Sequence, residues 1–257
     1  MTNPKKLIDD LKQLGIKEED TIVVHSSYNA IKGDGHIDGG PAAVIACLKE
    51  AVKLGTLMLP TLSWESVKED SPYFDVCKTP SCVGILPEFM RKSSDCFRSV
   101  HPTHSIAVWG KDAKSIAEAH IRDFTPVGPN SPLHEVRRRG GKIMILGCPL
   151  TTNTSMHGVE EMIVPPYLYS KSIDYELVLQ DGTRVWQSYL RHGFGDKYQQ
   201  RYERILDVIS SSDYLTGKVL NADCTVMDAE AVWSAGLKKL REDILYFVDV
   251  KNTPRQL

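Results

Sequence analysis

The sequence predicts an α/β fold: a central mixed sheet with flanking helices, followed by an antiparallel, β-rich portion near residues 170–227, in one unit spanning 1–257. Three observations predict it. A β-branched run, a glycine-rich loop, a helix opening on proline and a second apolar run follow one another over residues 21–59, the order of a βαβ unit. Another short apolar run, Lys142 to Leu146, follows two helical segments and stops at Gly147. Beyond it the periodicity becomes that of strands, and Asp181-Gly182 is a hairpin turn signal.

Taken in order, Leu7, Leu11 and Leu14 give Lys5–Leu14 a helical period that ends at Gly15. Thr21–Val24 reads as a strand ending at His25-Ser26-Ser27. The loop Gly33–Gly40 leads to Pro41, suited to the first turn of a helix over 42–53. Gly55 closes that helix, and Thr56–Leu59 is a second buried strand. Residues 65–82 are polar and aperiodic, a surface excursion of the kind that carries specificity. Residues 83–91, 112–120 and 133–139 read as helices, 97–100 and 105–108 as extended. After Lys142–Leu146, the runs 172–179 and 183–188 flank Gln180-Asp181-Gly182 as a hairpin. Residues 196–209 read as a helix. A second hairpin joins 218–220 to 224–227 across Asn221-Ala222-Asp223, and Asp228 caps a last helix over 229–240.

Composition narrows the function. The chain has 257 residues, 42% hydrophobic and 25% charged, with a formal net charge of −2. A duplex-binding domain normally carries a basic surplus, so nucleic acid is not an expected partner. The one basic run, Arg137-Arg138-Arg139, sits at a helix end, where cations suit the dipole. There is no apolar leader and no run approaching the roughly 20 apolar residues of a membrane span. Six scattered cysteines without a C-x-x-C pair read as reduced thiols, so a cytoplasmic setting is expected, with no membrane partner.

Three constellations could carry chemistry. The first is His25-Ser26-Ser27 with the following glycine loop. Hydroxyls and free N–H groups between a strand end and a helix start can cradle an anion, although neither the P-loop nor the dinucleotide fingerprint is present. The second is Arg98-Ser99-Val100-His101-Pro102-Thr103-His104-Ser105. Arg98 could hold a phosphate or carbonyl; His101 and His104 could bind metal or simply be bonded into a loop. The third is Asn153-Thr154-Ser155-Met156-His157-Gly158-Val159-Glu160-Glu161, after a strand end that should face a ligand crevice. If Thr154 or Ser155 starts a helix, Glu160 or Glu161 shares a face with His157 and could orient it as a general base. The competing reading is a capping box, with the glutamate reaching back to the helix start.

The ordered set of these segments resembles the aminoglycoside 3-N-acetyltransferase family. With them stand Gly55-Thr56-Leu57, Leu59-Pro60-Thr61, Thr79-Pro80-Ser81, Leu86-Pro87, Trp109-Gly110, Gly128-Pro129, Ser131-Pro132 and Gly140-Gly141-Lys142. The resemblance runs from about residue 3 to 250 and is strongest over 21–161. It implies the antibiotic N-acetyltransferase type of α/β fold, not the common acetyltransferase fold. It implies transfer of acetyl from acetyl-coenzyme A to an amine, the 3-amino group of a deoxystreptamine ring in an aminoglycoside. The family's catalytic histidine matches His157 and its partner carboxylate Glu160. Cofactor contacts carry over to Ser26, Ser27, Arg98, Ser99 and His101, with Lys32 beside them. The segments 64–75 and 189–200 match nothing diagnostic in the family, and they should bound the acceptor.

The expected chemistry is direct transfer. His157 takes a proton from the acceptor ammonium, the amine attacks the thioester, and Thr154, Ser27 or backbone N–H groups meet the oxyanion. A polycationic acceptor would be drawn by carboxylates, for which Glu65, Asp75 and Glu161 are the expected contacts. No metal is expected, and an oligomer is compatible with the sequence. Three rivals stay open: the same transfer onto an amino sugar or biosynthetic amine, a metal-dependent hydrolase built on His101, His104, His157 and Glu160, and a protein that binds coenzyme A without turnover.

Overall fold

The structure is a computed structural model that describes residues 5–195 and 197–251. Helix α1 (Lys5–Gln13) precedes β1 (Thr21–Ser26), the short α2 (Tyr28–Lys32), α3 (Gly40–Ala51) and β2 (Thr56–Pro60). Then come β3 (Tyr73–Asp75), α4 (Ile85–Arg91), β4 (Phe97–Arg98), β5 (Ile106–Gly110), α5 (Ala113–Ala119), α6 (Pro132–Arg138) and β6 (Lys142–Leu146). The remainder is α7 (Ser155–Glu161), β7 (Tyr169–Val178), β8 (Arg184–His192), β9 (Tyr198–Gln200), β10 (Tyr214–Val219), β11 (Ala222–Asp228), α8 (Ala229–Glu242) and β12 (Val248–Val250). Short 3-10 turns cover His120–Arg122, Leu150–Thr152 and Tyr202–Asp207.

Seven strands form the main sheet in the order β10-β11-β6-β1-β2-β5-β4. The three central strands are parallel, and the flanking pairs are antiparallel. Strand β1, helix α3 and parallel β2 are the βαβ unit expected from residues 21–59. Alternate residues of the central strands feed opposite faces: Ile22, Val24, Leu57, Leu59, Met144 and Leu146 pack toward α1 and α3, while Val23, Met58, Ile143 and Ile145 pack toward α5, α6 and α8. Burial on both faces explains why these strands read as continuous apolar runs.

A second, three-stranded sheet pairs β3 parallel to β7 and β7 antiparallel to β8, around a small core of Val67, Phe74, Val76, Tyr175, Leu177 and Tyr189. This is the expected β-rich portion, with one addition. The excursion 65–82 supplies its edge strand, because Phe74 and Val76 bury side chains that the surrounding polar residues mask in the sequence.

Three expectations are corrected. Residues 196–209 do not form an α-helix: Tyr198–Gln200 pair with Val248–Val250, and only Tyr202–Asp207 coil, as a 3-10 turn. Tyr202, Ile205 and Ile209 give the stretch a helix-like spacing, yet strand pairing claims its first half. Asp196 lies outside the described residues. The last hairpin turns at Leu220-Asn221, with Val219 opposite Ala222. Leu220 takes a φ of 53°, and its N–H donates to the buried Asp10 carboxylate at 2.8 Å. The run expected to be extended over 97–100 is a strand only at Phe97–Arg98.

The Asp228 cap forms as expected, accepting from the Ala231 N–H at 2.8 Å. The basic run is paired rather than free, Arg137 with Glu230 and Arg139 with Asp112 and Glu135. All six cysteines are thiols. Among the described residues no helix is long and apolar enough to cross a membrane.

Candidate active site

The parallel strands β1 and β6 end side by side, Ser26 opposite Leu146. In such sheets the crevice beyond the strand ends receives ligands. From β6 the chain turns through Leu150–Thr152 into α7, whose residues Ser155 to Glu160 are all buried. Gly158 lets α7 approach α8: a Cβ there would lie 2.1 Å from the Trp233 ring.

A capping box does not form at the start of α7. Thr154 occupies the cap position without a side-chain cap bond. Its Oγ1 lies 2.7 Å from His25 Nε2, and its N–H donates to the same nitrogen at 3.0 Å. His25 is held neutral, its pKa lowered to about 3, foremost by burial. Asn153 Oδ1 accepts instead from the Ser155 N–H at 3.1 Å. The Asn153 Nδ2 group is buried and has no partner among the described residues.

The glutamates are therefore free for other work. Glu160 is fully buried. Its Oε1 accepts from the Tyr167 hydroxyl at 2.9 Å, and its Oε2 from the Tyr202 hydroxyl at 2.7 Å. Burial, then the Glu160 charge, pushes both phenols up, so they remain donors. His157 Nδ1 lies 2.9 Å from the Tyr202 oxygen and 3.3 Å from Glu160 Oε2. With the Tyr202 proton given to Glu160, Nδ1 must carry the imidazole proton. Nε2 is left with a lone pair. Glu161 turns away: it accepts from the Val127 N–H at 2.8 Å and lies 3.3 Å from His192 Nε2, and burial raises its pKa to about 7.

His157 lines a cavity of about 370 Å³ together with Trp64, His104, Asn153, Thr154, Arg191, His192, Phe194 and Tyr202. A second, more apolar cavity of about 230 Å³ is lined by Val24, His25, Ser26, Pro60, Pro87 and Cys148. Leu62, Val83, Thr152 and Thr154 line both, so the two are neighbours across a shared wall.

The other residues singled out in the sequence lie as follows. Ser26 lines the second cavity, its Oγ buried and unpartnered. Ser27 caps α2 by accepting from the Ala30 N–H, and Lys32 Nζ donates to the Gly33 carbonyl. Arg98 is buried and spends its guanidinium on Thr61, Val76, Thr79 and Ser105, at the wall of a separate cavity. Ser99 bonds His120 and Ile106, and His101 Nδ1 accepts from the Thr103 and His104 N–H groups. Arg98, Ser99 and His101 thus brace the loop carrying His104 and line neither cavity beside Thr154. Asp75 holds the turn after β3 by accepting from the Cys77 and Lys78 N–H groups, and Glu65 is exposed. Neither lines the His157 cavity. Among the described residues that do, there is no carboxylate.

Sequence reasoning missed Tyr202, Tyr167, His192, Arg191 and the donor role of Asn153. Only Asn153 carried a local signal, as the residue leading into the helix. Tyr202 reaches His157 from 45 positions away, on a stretch taken for a helix.

Comparison with known proteins places the chain in a family. The family profile described as aminoglycoside 3-N-acetyltransferase matches residues 23–241, well over half of the chain. The chain belongs to the aminoglycoside 3-N-acetyltransferase family. It is an acyltransferase of that type. It is 32% identical over 208 residues to aminoglycoside N(3)-acetyltransferase VII of Streptomyces paromomycinus, covering 72% of this chain and 68% of that one. It is 29% identical over 251 residues to the prophage-derived aminoglycoside N(3')-acetyltransferase-like protein YokD of Bacillus subtilis, covering 89% of each. Among solved structures it superposes on AAC-IIIb, a binary complex with coenzyme A, at a TM-score of 0.81 and 26% identity over 94% of this chain and 97% of that one. A histidine-to-alanine variant of AAC(3)-IVa in complex with a gentamicin superposes at 0.79, with 25% identity over 95% of this chain and 90% of that one. The α/β fold expected of this family is the fold observed.

Proposed function

We propose that the chain moves acetyl from acetyl-coenzyme A to an amine held in the cavity beside His157, with His157 as general base. The observation that carries this reading is the Tyr202–Glu160 clamp on Nδ1, which leaves the Nε2 lone pair on the cavity wall. The acceptor amine attacks the thioester carbonyl carbon, forming the C–N bond, and its surplus proton passes to His157 Nε2. Glu160 balances the imidazolium charge. The oxyanion is met by the Asn153 Nδ2 group, a buried donor without a partner among the described residues. Collapse breaks the C–S bond, and the coenzyme A thiolate takes the proton back from His157.

The second cavity suits the pantetheine arm: it is largely apolar, with Ser26 Oγ, His25, Thr152 and Thr154 among its polar points. A relative crystallised with coenzyme A supports this co-substrate. A cytoplasmic setting fits six cysteines that are all free thiols.

For the acceptor, the curated relatives' names support an aminoglycoside, acetylated at the 3-amino group. One observation favours a second reading, an amine that is not a polycation. The described lining of the cavity includes Arg191 and no carboxylate, whereas a polycation is ordinarily matched by negative charge.

The test is acetyl-coenzyme A turnover with purified protein, a panel of deoxystreptamine aminoglycosides and a panel of monoamines, with His157→Ala as control. Wild-type turnover is expected, with kcat roughly 10²- to 10⁴-fold lower in the variant. An unchanged kcat in a folded variant refutes the base. Turnover with monoamines alone establishes the second acceptor class.

A further inference from the structure

We propose that His104, His157 and His192 form a three-imidazole site for a divalent first-row cation of the zinc type, and that an ion bound there turns the transferase off. The site stands on geometry alone; its effect on turnover rests on the base role given to His157 above. One ring nitrogen from each residue can be chosen so that all lie within 4.8 Å of one another. The rings touch: His157 and His192 have centroids 4.1 Å apart, His104 and His192 4.8 Å, His104 and His157 5.6 Å.

The remaining ring nitrogens are all engaged by oxygen. His104 Nδ1 lies 2.8 Å from Thr103 Oγ1, His157 Nδ1 faces Tyr202 and Glu160, and His192 Nε2 lies 3.3 Å from Glu161 Oε1. This is the pattern that orients metal-binding imidazoles: an oxygen partner fixes one nitrogen and the other is presented as a ligand. His104 Nε2, His157 Nε2 and His192 Nδ1 are the atoms so presented. Glu160 stands behind His157 and Glu161 behind His192, with Arg191 on the cavity wall.

Tetrahedral zinc with Zn–N bonds of about 2.0–2.1 Å needs ligand nitrogens about 3.3 Å apart. Binding therefore requires the nitrogens to close by up to about 1.5 Å. The fourth position opens on the cavity. Three imidazoles with one open position suit zinc and its neighbours, not magnesium or calcium, which prefer oxygen. An ion so held ties up the lone pair that would accept the proton of the acceptor, so occupancy and turnover exclude each other.

The experiment titrates substrate-free protein with Co²⁺ and reads the visible d–d bands of tetrahedral cobalt, then displaces cobalt with Zn²⁺. His104→Ala and His192→Ala are compared with His36→Ala, an exposed histidine away from the cluster; circular dichroism verifies folding. About one cobalt per chain is expected for wild type and His36→Ala, with affinity lowered about tenfold or more in the two cluster variants. Absence of tetrahedral bands, or cluster variants that bind like wild type, overturns the site. In a separate arm, acetylated product is followed by mass, because zinc would bind the released thiol. Zinc should suppress product formation, and a chelator should restore it. Tetrahedral cobalt with undiminished turnover at saturating zinc would overturn the inhibitory role and count against His157 as the base, leaving the site standing.

Discussion

Mild acid should destabilise this protein, and the size of the effect follows from its buried histidines. Burial holds His25 and His120 down to about 3 and His134 to about 4, whereas in an unfolded chain each titrates near 6.5. Below pH 6.5 the unfolded chain takes up protons that the fold refuses. Stability from this source is complete above 6.5 and falls as the pH drops toward the folded values. At pH 5 each unfolded ring gains RT ln(1 + 10^1.5), about 2 kcal/mol, so the three together cost about 6 kcal/mol. Glu161 acts in the opposite sense: raised to about 7, it takes its proton in the fold first and returns about 2–3 kcal/mol by pH 5. His101, His104 and His192 are displaced in the same direction as the first three. The net loss is at least about 3–4 kcal/mol, against about 5–15 kcal/mol for a whole domain. Urea titrations from pH 7.5 to 5, read by the fluorescence of buried Trp233, measure it. His120→Asn, which keeps an acceptor for the Ser99 hydroxyl, should remove about 2 kcal/mol of the loss between pH 7.5 and 5. An unfolding free energy that is constant or rising between pH 7.5 and 5 would refute the reasoning.

Three further outcomes are expected. Tyr202→Phe removes the hydroxyl that fixes the His157 tautomer, so kcat should fall about tenfold or more at similar KM; a kcat equal to wild type would mean that Glu160 alone orients the ring. Gly158→Ala drives a methyl group into Trp233 and should destabilise by about 1–3 kcal/mol, seen as a lower urea midpoint at constant slope. An unchanged midpoint would show that α7 and α8 do not pack this closely. Arg191→Glu should lower KM for polycationic aminoglycosides about tenfold at low salt, an effect that salt should erase; a KM indifferent to the charge would place the acceptor's ammonium groups elsewhere.

The sheet core was legible because its strands are short apolar runs punctuated by glycine and proline. Thr21–Val24, Thr56–Leu59 and Lys142–Leu146 could be read without any partner, and their parallel pairing followed from the helix between the first two. The pairing of His157 with Glu160 was legible as helical spacing, but spacing alone left Glu161 and the capping box in play. What excludes the cap is His25, which takes both Thr154 donors from 129 positions away, and no local pattern encodes that contact. Tyr202 and His192 were invisible for the same reason: they arrive on a 3-10 turn and on a strand of the second sheet. Arg98 shows the converse. Arginine among hydroxyls suggested an anion site, yet buried carbonyls of Thr61, Val76 and Thr79 absorb its donors.

The contact between Thr154 and His25 has a consequence for proton inventory. His25 Nε2 accepts the Thr154 N–H, so it bears no hydrogen, and the hydroxyl 2.7 Å away must point its own hydrogen at that nitrogen. Oγ1 then has only lone pairs left to show to whatever passes between the two cavities. A carbonyl or oxyanion gains nothing from it, while a group bearing N–H finds an acceptor. Thr154 is thereby a one-way gatepost. It offers an acceptor to the N–H of an incoming amine or of a pantetheine amide and no donor to an oxyanion, whose hydrogen bonds must come from elsewhere, such as Asn153 Nδ2.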